Sequence, residues 1–130
     1  MSHLIDSDVV ADYLKGIPEQ VHWINALIPG GIAVSIITYG EIYDGIDGSR
    51  DPKTAEHVFR QFLRLADVLP LNQSVMRRFA SVRRDLRSRG LLIGDMDMLI
   101  GATALHHRLT LVTRNRRHFD RIPGLTLYKG

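Results

Sequence analysis

Four separated stretches of this chain each set an oxygen-bearing side chain behind a short apolar run. Asp6 follows Leu4-Ile5. Glu41 comes shortly after Ile32–Ile37. Asp95 and Asp97 open a stretch of helical period, and Asn115 follows Leu109–Thr113. Carboxylates brought to one place repel, and a divalent cation is the usual remedy. Oxygen donors without histidine or cysteine suit Mg²⁺ or Mn²⁺ rather than zinc. The chemistry open to such a set is metal-assisted.

Such chemistry needs the four stretches to meet, and the pattern of elements says where. Ile32–Ile37 is a β-branched run behind the turn signal Pro29-Gly30-Gly31. Leu4-Ile5, Val68–Leu71, Leu109–Thr113 and Leu125–Tyr128 are further short apolar runs, as buried parallel strands are. Between them lie segments of helical period: 7–14, 18–27, 38–46, 52–65, 73–88 and 97–107. Pro18 suits the first turn of its helix. Alternation of this kind predicts an α/β fold with a mostly parallel sheet of about five strands. Ligands of such sheets sit beyond the carboxyl ends of the strands. Asp6, Glu41, Asp97 and Asn115 all fall at that edge.

Each of these residues also has a plainer reading. Thr38-Tyr39-Gly40-Glu41 has the form of a capping box. Asp95 and Asp97 suit a helix N-terminus, Asp6 suits an N-cap before Ser7, and Asn115 suits a turn. It is their coincidence at one edge that points to a site.

Composition narrows the field. The chain has 130 residues, a single-domain length, with 45% hydrophobic and 24% charged residues. Cysteine is absent, which excludes a disulfide scaffold and a thiol nucleophile. Fourteen of the seventeen basic residues are arginine, and the net charge is +3, a mild leaning towards polyanions. No apolar run is long enough to span a membrane and no signal-like segment opens the chain, so a cytoplasmic location is expected.

Four motifs carry a resemblance. Leu4-Ile5-Asp6-Ser7-Asp8-Val9-Val10 resembles the opening strand–Asp–Ser/Thr element of PIN-domain ribonucleases. Ser35–Ile42, with Glu41, resembles their second element. Gly94–Ala104, with Asp97, resembles their D-x-L-I-A-A-x-A helix. Leu111–Leu125 resembles their closing T-x-N-x-x-x-F-x-x-I-x-G-L element. The length and closing element are most similar to VapC toxins of type II toxin–antitoxin pairs. The resemblance covers nearly the whole chain.

It implies a single PIN-like domain over residues 1–130, a three-layer α/β/α sandwich. It implies a Mg²⁺-dependent endoribonuclease, with Mn²⁺ able to substitute. A VapB-like antitoxin and a homodimer are also implied. By the same resemblance Asp6 and Asp97 hold the metal and Glu41 is the third acid. Asn115 takes a fourth place that is frequently aspartate, and Ser7 and Thr113 are orienting hydroxyls. Asn115 lowers the site's charge by one, and Asp95 is an extra acid that could compensate. Asp120 is expected in solvent, facing Arg116 or Arg117. Glu41 would position a metal-activated water or accept its proton, leaving a 5′-phosphate and a 3′-hydroxyl.

Two arginine clusters could meet RNA. Arg114, Arg116 and Arg117 adjoin the expected site and are assigned to phosphate contact. Arg77, Arg78, Arg83, Arg84, Arg87 and Arg89 form the other, equally readable as a solvated helix face or an antitoxin contact. Trp23, Tyr39 and Tyr43 are candidate stacking residues, Trp23 being more readily a core or dimer contact, and His106-His107 receive no role. Two rival readings stand beside the nuclease. Asp6-Ser7-Asp8 also fits the D-x-D of haloacid-dehalogenase-like phosphatases, with Asp6 as nucleophile and Asp8 as general acid. A non-catalytic PIN-like RNA- or protein-binding module is the other.

Overall fold

The computed structural model describes residues 1–130. Four short strands form one parallel sheet: β1 (His3–Ile5), β2 (Ile32–Ser35), β3 (Ala66–Leu69) and β4 (Thr110–Val112), in the order β3-β2-β1-β4. Leu4 pairs with Ala33 on one side and Leu111 on the other. Seven α-helices cover the sheet: α1 (Ser7–Leu14), α2 (Pro18–Leu27), α3 (Ile36–Asp47), α4 (Pro52–Leu63), α5 (Gln73–Ser88), α6 (Asp95–His107) and α7 (Arg116–Phe119).

Strand alternation sorts the core into two halves. Ile5, Ile32, Val34 and Val112 point to one face and meet Val9 and Val10 of α1, Ile24 of α2, Ile42 and Ile46 of α3, and Phe59 and Phe62 of α4. Leu4, Ala33 and Leu111 point to the other, against Val82 and Leu86 of α5, Met98, Ile100 and Ala104 of α6, and Phe119 of α7. The result is the expected three-layer sandwich.

Several expectations are corrected. The sheet has four strands, not five. The stretch 125–128 touches it only through a single parallel bridge, Leu111 to Leu127. Tyr128 also turns its ring edge-on to His3 and Trp23, so the segment is held by two backbone hydrogen bonds to Leu111 and by aromatic packing rather than by a full ladder. β2 stops at Ser35 and not at Ile37, because the Ser35 hydroxyl accepts from Ile37 N–H and starts α3. Glu41 is therefore inside a helix capped by Ser35, and the Thr38–Glu41 capping box does not form. β3 runs from Ala66 to Leu69, two residues earlier than expected. α6 begins at Asp95 behind Gly94, which offers no side-chain cap.

Candidate active site

All four strands run the same way, so their carboxyl ends share one edge. Asp6 stands there as the N-cap of α1, accepting from Ser7 N–H at 2.8 Å. It is buried, with only 5% exposure. Its other oxygen accepts from the Thr113 hydroxyl at 2.7 Å, beyond the end of β4. Thr113 in turn accepts from Asn115 N–H at 2.9 Å. A single hydroxyl thus fixes both the Asp6 carboxylate and the turn that carries Asn115.

Glu41 is reached through Ser7. The Ser7 hydroxyl donates to Glu41 Oε1 at 2.6 Å and lies 2.9 Å from the hydroxyl of buried Thr38. Its one proton is committed to the carboxylate. Asp97, in the first turn of α6, is 28% exposed and meets the β4–α7 segment. Asn115 Nδ2 approaches Asp97 Oδ2 at 3.5 Å, and His118 Nδ1 approaches the same oxygen at 3.3 Å. Asn115 Nδ2 and His118 Nδ1 are 2.8 Å apart. Asp6, Glu41, Asp97 and Asn115 are therefore tied in by Ser7, Thr113 and His118.

Electrostatics agree that the edge is crowded with negative charge. Burial pushes the Asp6 carboxyl up to about 7, with the charge of Asp8 next and that of Asp97 a smaller contribution, against the hydrogen bonds from Thr113 and Ser7. Asp8 is raised as well, mainly by burial. Asp8 Oδ2 accepts from Arg114 N–H at 3.1 Å, while Oδ1 is buried without a partner. A buried carboxylate oxygen left empty beside a buried neighbour of like charge is a place that wants a cation.

Asp8 and His118 are members of this site that the sequence reading did not place. The sequence offers Asp8 only as a phosphatase acid. The signal for it was the i, i+2 spacing from an N-cap aspartate. For His118 it was the i, i+3 spacing from Asn115 across the first turn of α7.

Other expected members lie elsewhere. Asp95 is 68% exposed and pairs with Arg83 at 3.4 Å, so it turns outwards to α5 and does not compensate for Asn115. Arg114 is bound by its guanidinium to Asp12, and Arg116 donates to the Tyr128 carbonyl at 2.8 Å. Of the three arginines assigned to phosphate, Arg117 alone is exposed with no hydrogen bond or ion pair. Asp120 is exposed, and neither Arg116 nor Arg117 pairs with it. Tyr39 and Tyr43 pack on Phe59, and Trp23 on Tyr128. None of these three rings is arranged as a free stacking platform.

No three acidic or imidazole side chains converge into a closed metal cage. The donor set is instead open and made of hard oxygens. That suits an ion such as Mg²⁺, which binds through one or two carboxylates and keeps its waters.

Comparison with known proteins agrees with this arrangement. The PIN domain family model matches residues 3–125. Ribonuclease VapC1 of Methanocaldococcus jannaschii is 33% identical over 127 residues, 96% of this chain and 85% of that protein. The crystal structure of VapBC2 from Rickettsia felis, bound to a DNA fragment from its promoter, superposes with a TM-score of 0.91. It is 25% identical and covers 98% of both chains. A toxin–antitoxin complex from Klebsiella pneumoniae gives a TM-score of 0.79 at 29% identity, covering 96% of each chain. The haloacid-dehalogenase reading of Asp6-Ser7-Asp8 falls with this match, since the same residues open the PIN domain. The chain belongs to the PIN-domain family, alongside the VapC ribonucleases.

Proposed function

We propose that the protein is an endoribonuclease that hydrolyses RNA phosphodiester bonds at the Asp6–Asp97 edge with Mg²⁺, Mn²⁺ being able to substitute. The observation that carries this is the buried Asp6 carboxyl, raised to about 7 beside Asp8 and Asp97 and held in place by Thr113. Asp6 and Asp97 would hold the ion. When bound there, it would supply Lewis-acid polarisation of a phosphoryl oxygen and a more acidic water. Glu41, aimed by Ser7, positions the attacking water and accepts its proton. Thr113 keeps the Asp6 oxygens pointed outwards from β1, and Asn115 contributes a neutral amide beside Asp97.

A VapB-like antitoxin fits the same reading. Ala11 and Leu14 of α1, Ile42 and Ile46 of α3, and Ala55 and Val58 of α4 line an apolar groove that Glu41 borders. A partner seated there would cover the acidic edge. The Klebsiella pneumoniae structure was itself solved as a toxin–antitoxin complex. A homodimer and a cytoplasmic location belong to this proposal. No helix of the chain is long and apolar enough to cross a membrane.

The test is cleavage of total bacterial RNA by protein freed of any partner, with Mg²⁺ or Mn²⁺ and with EDTA. We expect fragments bearing 5′-phosphates, lost in EDTA and reduced at least about a hundredfold in Asp97→Asn. RNA binding without cleavage under every metal condition would instead support the non-catalytic module.

A further inference from the structure

Helix α4 carries a feature that the active edge does not use. Lys53, His57, Arg60 and Arg64 are all exposed, and none makes a hydrogen bond or an ion pair within the chain. Their spacing of four, three and four residues confines them to about 60° of the helix circumference. They run about 16 Å along the axis at the α-helical rise. The opposite face of α4 is the buried one, with Phe59 and Phe62 in the core. Glu56 is the acid beside this row, and its carboxylate is engaged by the Tyr43 hydroxyl at 2.8 Å. The shallow surface the row forms is completed by Glu56 and Gln61 and contains no hydrophobic residue.

That composition selects a kind of partner. Protein interfaces have an apolar centre with a polar rim. Nucleic-acid contacts are polar, positively charged and built on phosphates. Three fixed cations, Lys53, Arg60 and Arg64, with the His57 imidazole among them, are spread over three turns and fit successive phosphates rather than one anion. The arginines around α5 are in part already neutralised. Arg83 and Arg89 are paired with Asp95 and Asp85, and exposed Met76 interrupts the rest. The helix is also fixed next to the site, since Asp51, Thr54, Ala55 and Val58 share the groove that Glu41 borders.

We propose that the row Lys53, His57, Arg60 and Arg64, on α4 and its C-cap, is a docking track for the sugar-phosphate backbone of the RNA substrate, away from the bond that is cut. The proposal rests on the ribonuclease reading. The track reads charge and not sequence, so it sets how tightly RNA is held and how steeply that depends on salt.

The experiment measures affinity for a fluorescent RNA hairpin against KCl concentration, in an Asp97→Asn background that leaves the RNA intact. A triple variant, Lys53→Ala, Arg60→Ala and Arg64→Ala, is compared with Arg60→Lys and Arg64→Lys, which keep the charge. Alanine at these exposed positions favours helix, and circular dichroism checks folding. The triple variant is expected to lower the log–log salt slope by about two and to weaken binding roughly tenfold at moderate salt, each lost phosphate contact accounting for about 0.7–0.9 of slope. The lysine variant should keep the parent slope. An unchanged slope in the triple variant overturns the track while wild-type cleavage leaves the ribonuclease reading standing. Loss of binding to an acidic protein partner with RNA affinity unchanged assigns the row to that partner and overturns the proposal too. A wild-type protein that neither cleaves nor binds RNA removes both.

Discussion

At the scale of single residues, Asp6 is a helix cap and a buried charge at once, and the two roles conflict. Its carboxyl is pushed up to about 7 in the folded protein, against an ordinary value of 3.8. Between those pH values the folded chain keeps a proton that the unfolded chain has released. Stability of the metal-free protein therefore falls as pH rises through this window, and the loss is complete above pH 7. Asp6→Asn should match the parent near pH 4 and exceed it by about 2–4 kcal/mol at pH 8 in EDTA, measured by urea unfolding. Equal stability at pH 8 would show that the charge is not strained. Asp8 should act in the same direction on activity. Removing its charge in Asp8→Asn lets Asp6 ionise more readily, so the acid limb of the pH–rate profile should move to lower pH. Asp6, Glu41 and Asn115 could be picked out from the sequence because each follows an apolar run at a strand's end, and Asp97 because it opens a stretch of helical period. Asp8 and His118 could not, since their significance depends on which atoms Arg114 and Asp97 reach in space.

At the scale of elements, the closeness of α6 to the chain after α7 decides how Asp97 is held. Gly101 is buried in α6, and a Cβ there would lie 2.5 Å from Ile122 Cδ1. Gly101→Ala gains about 1 kcal/mol of helix propensity and loses about 1–3 kcal/mol to overpacking. The variant should be neutral to mildly destabilised, and adding Ile122→Val should recover stability; both are read from thermal unfolding. No recovery would mean that the cost of Gly101→Ala does not come from Ile122 Cδ1. The helical segments were largely legible, because their apolar stripes are long and regular. Short strands were less so. Nothing local in Leu125–Tyr128 says that His3 and Trp23 will take the Tyr128 ring. The end of β2 was misjudged because Ile36 and Ile37 favour a strand, and the Ser35 cap overrides them.

At the scale of the whole molecule, charge is divided by place. Acids gather at one edge of the sheet, and unpaired cations line α4 and the outer face of α5. A hard divalent ion that binds the folded edge should stabilise the protein by mass action. At pH 8, millimolar Mg²⁺ should raise the melting temperature of the parent by several degrees and that of Asp6→Asn by much less. An equal rise in both would place the ion elsewhere.

The position of β1 has a consequence for the chain while it is being made. It is the first strand in sequence, yet it lies inside the sheet between β2 and β4. Asp6 waits 107 positions for the Thr113 hydroxyl that fixes it. A product that stops before β4 leaves Asp6 with its Ser7 N–H alone and β1 with one neighbour missing. A copy cut short before Thr113 therefore lacks both the β4 neighbour of β1 and the hydroxyl that fixes Asp6, so the acidic edge forms only after β4 has been made.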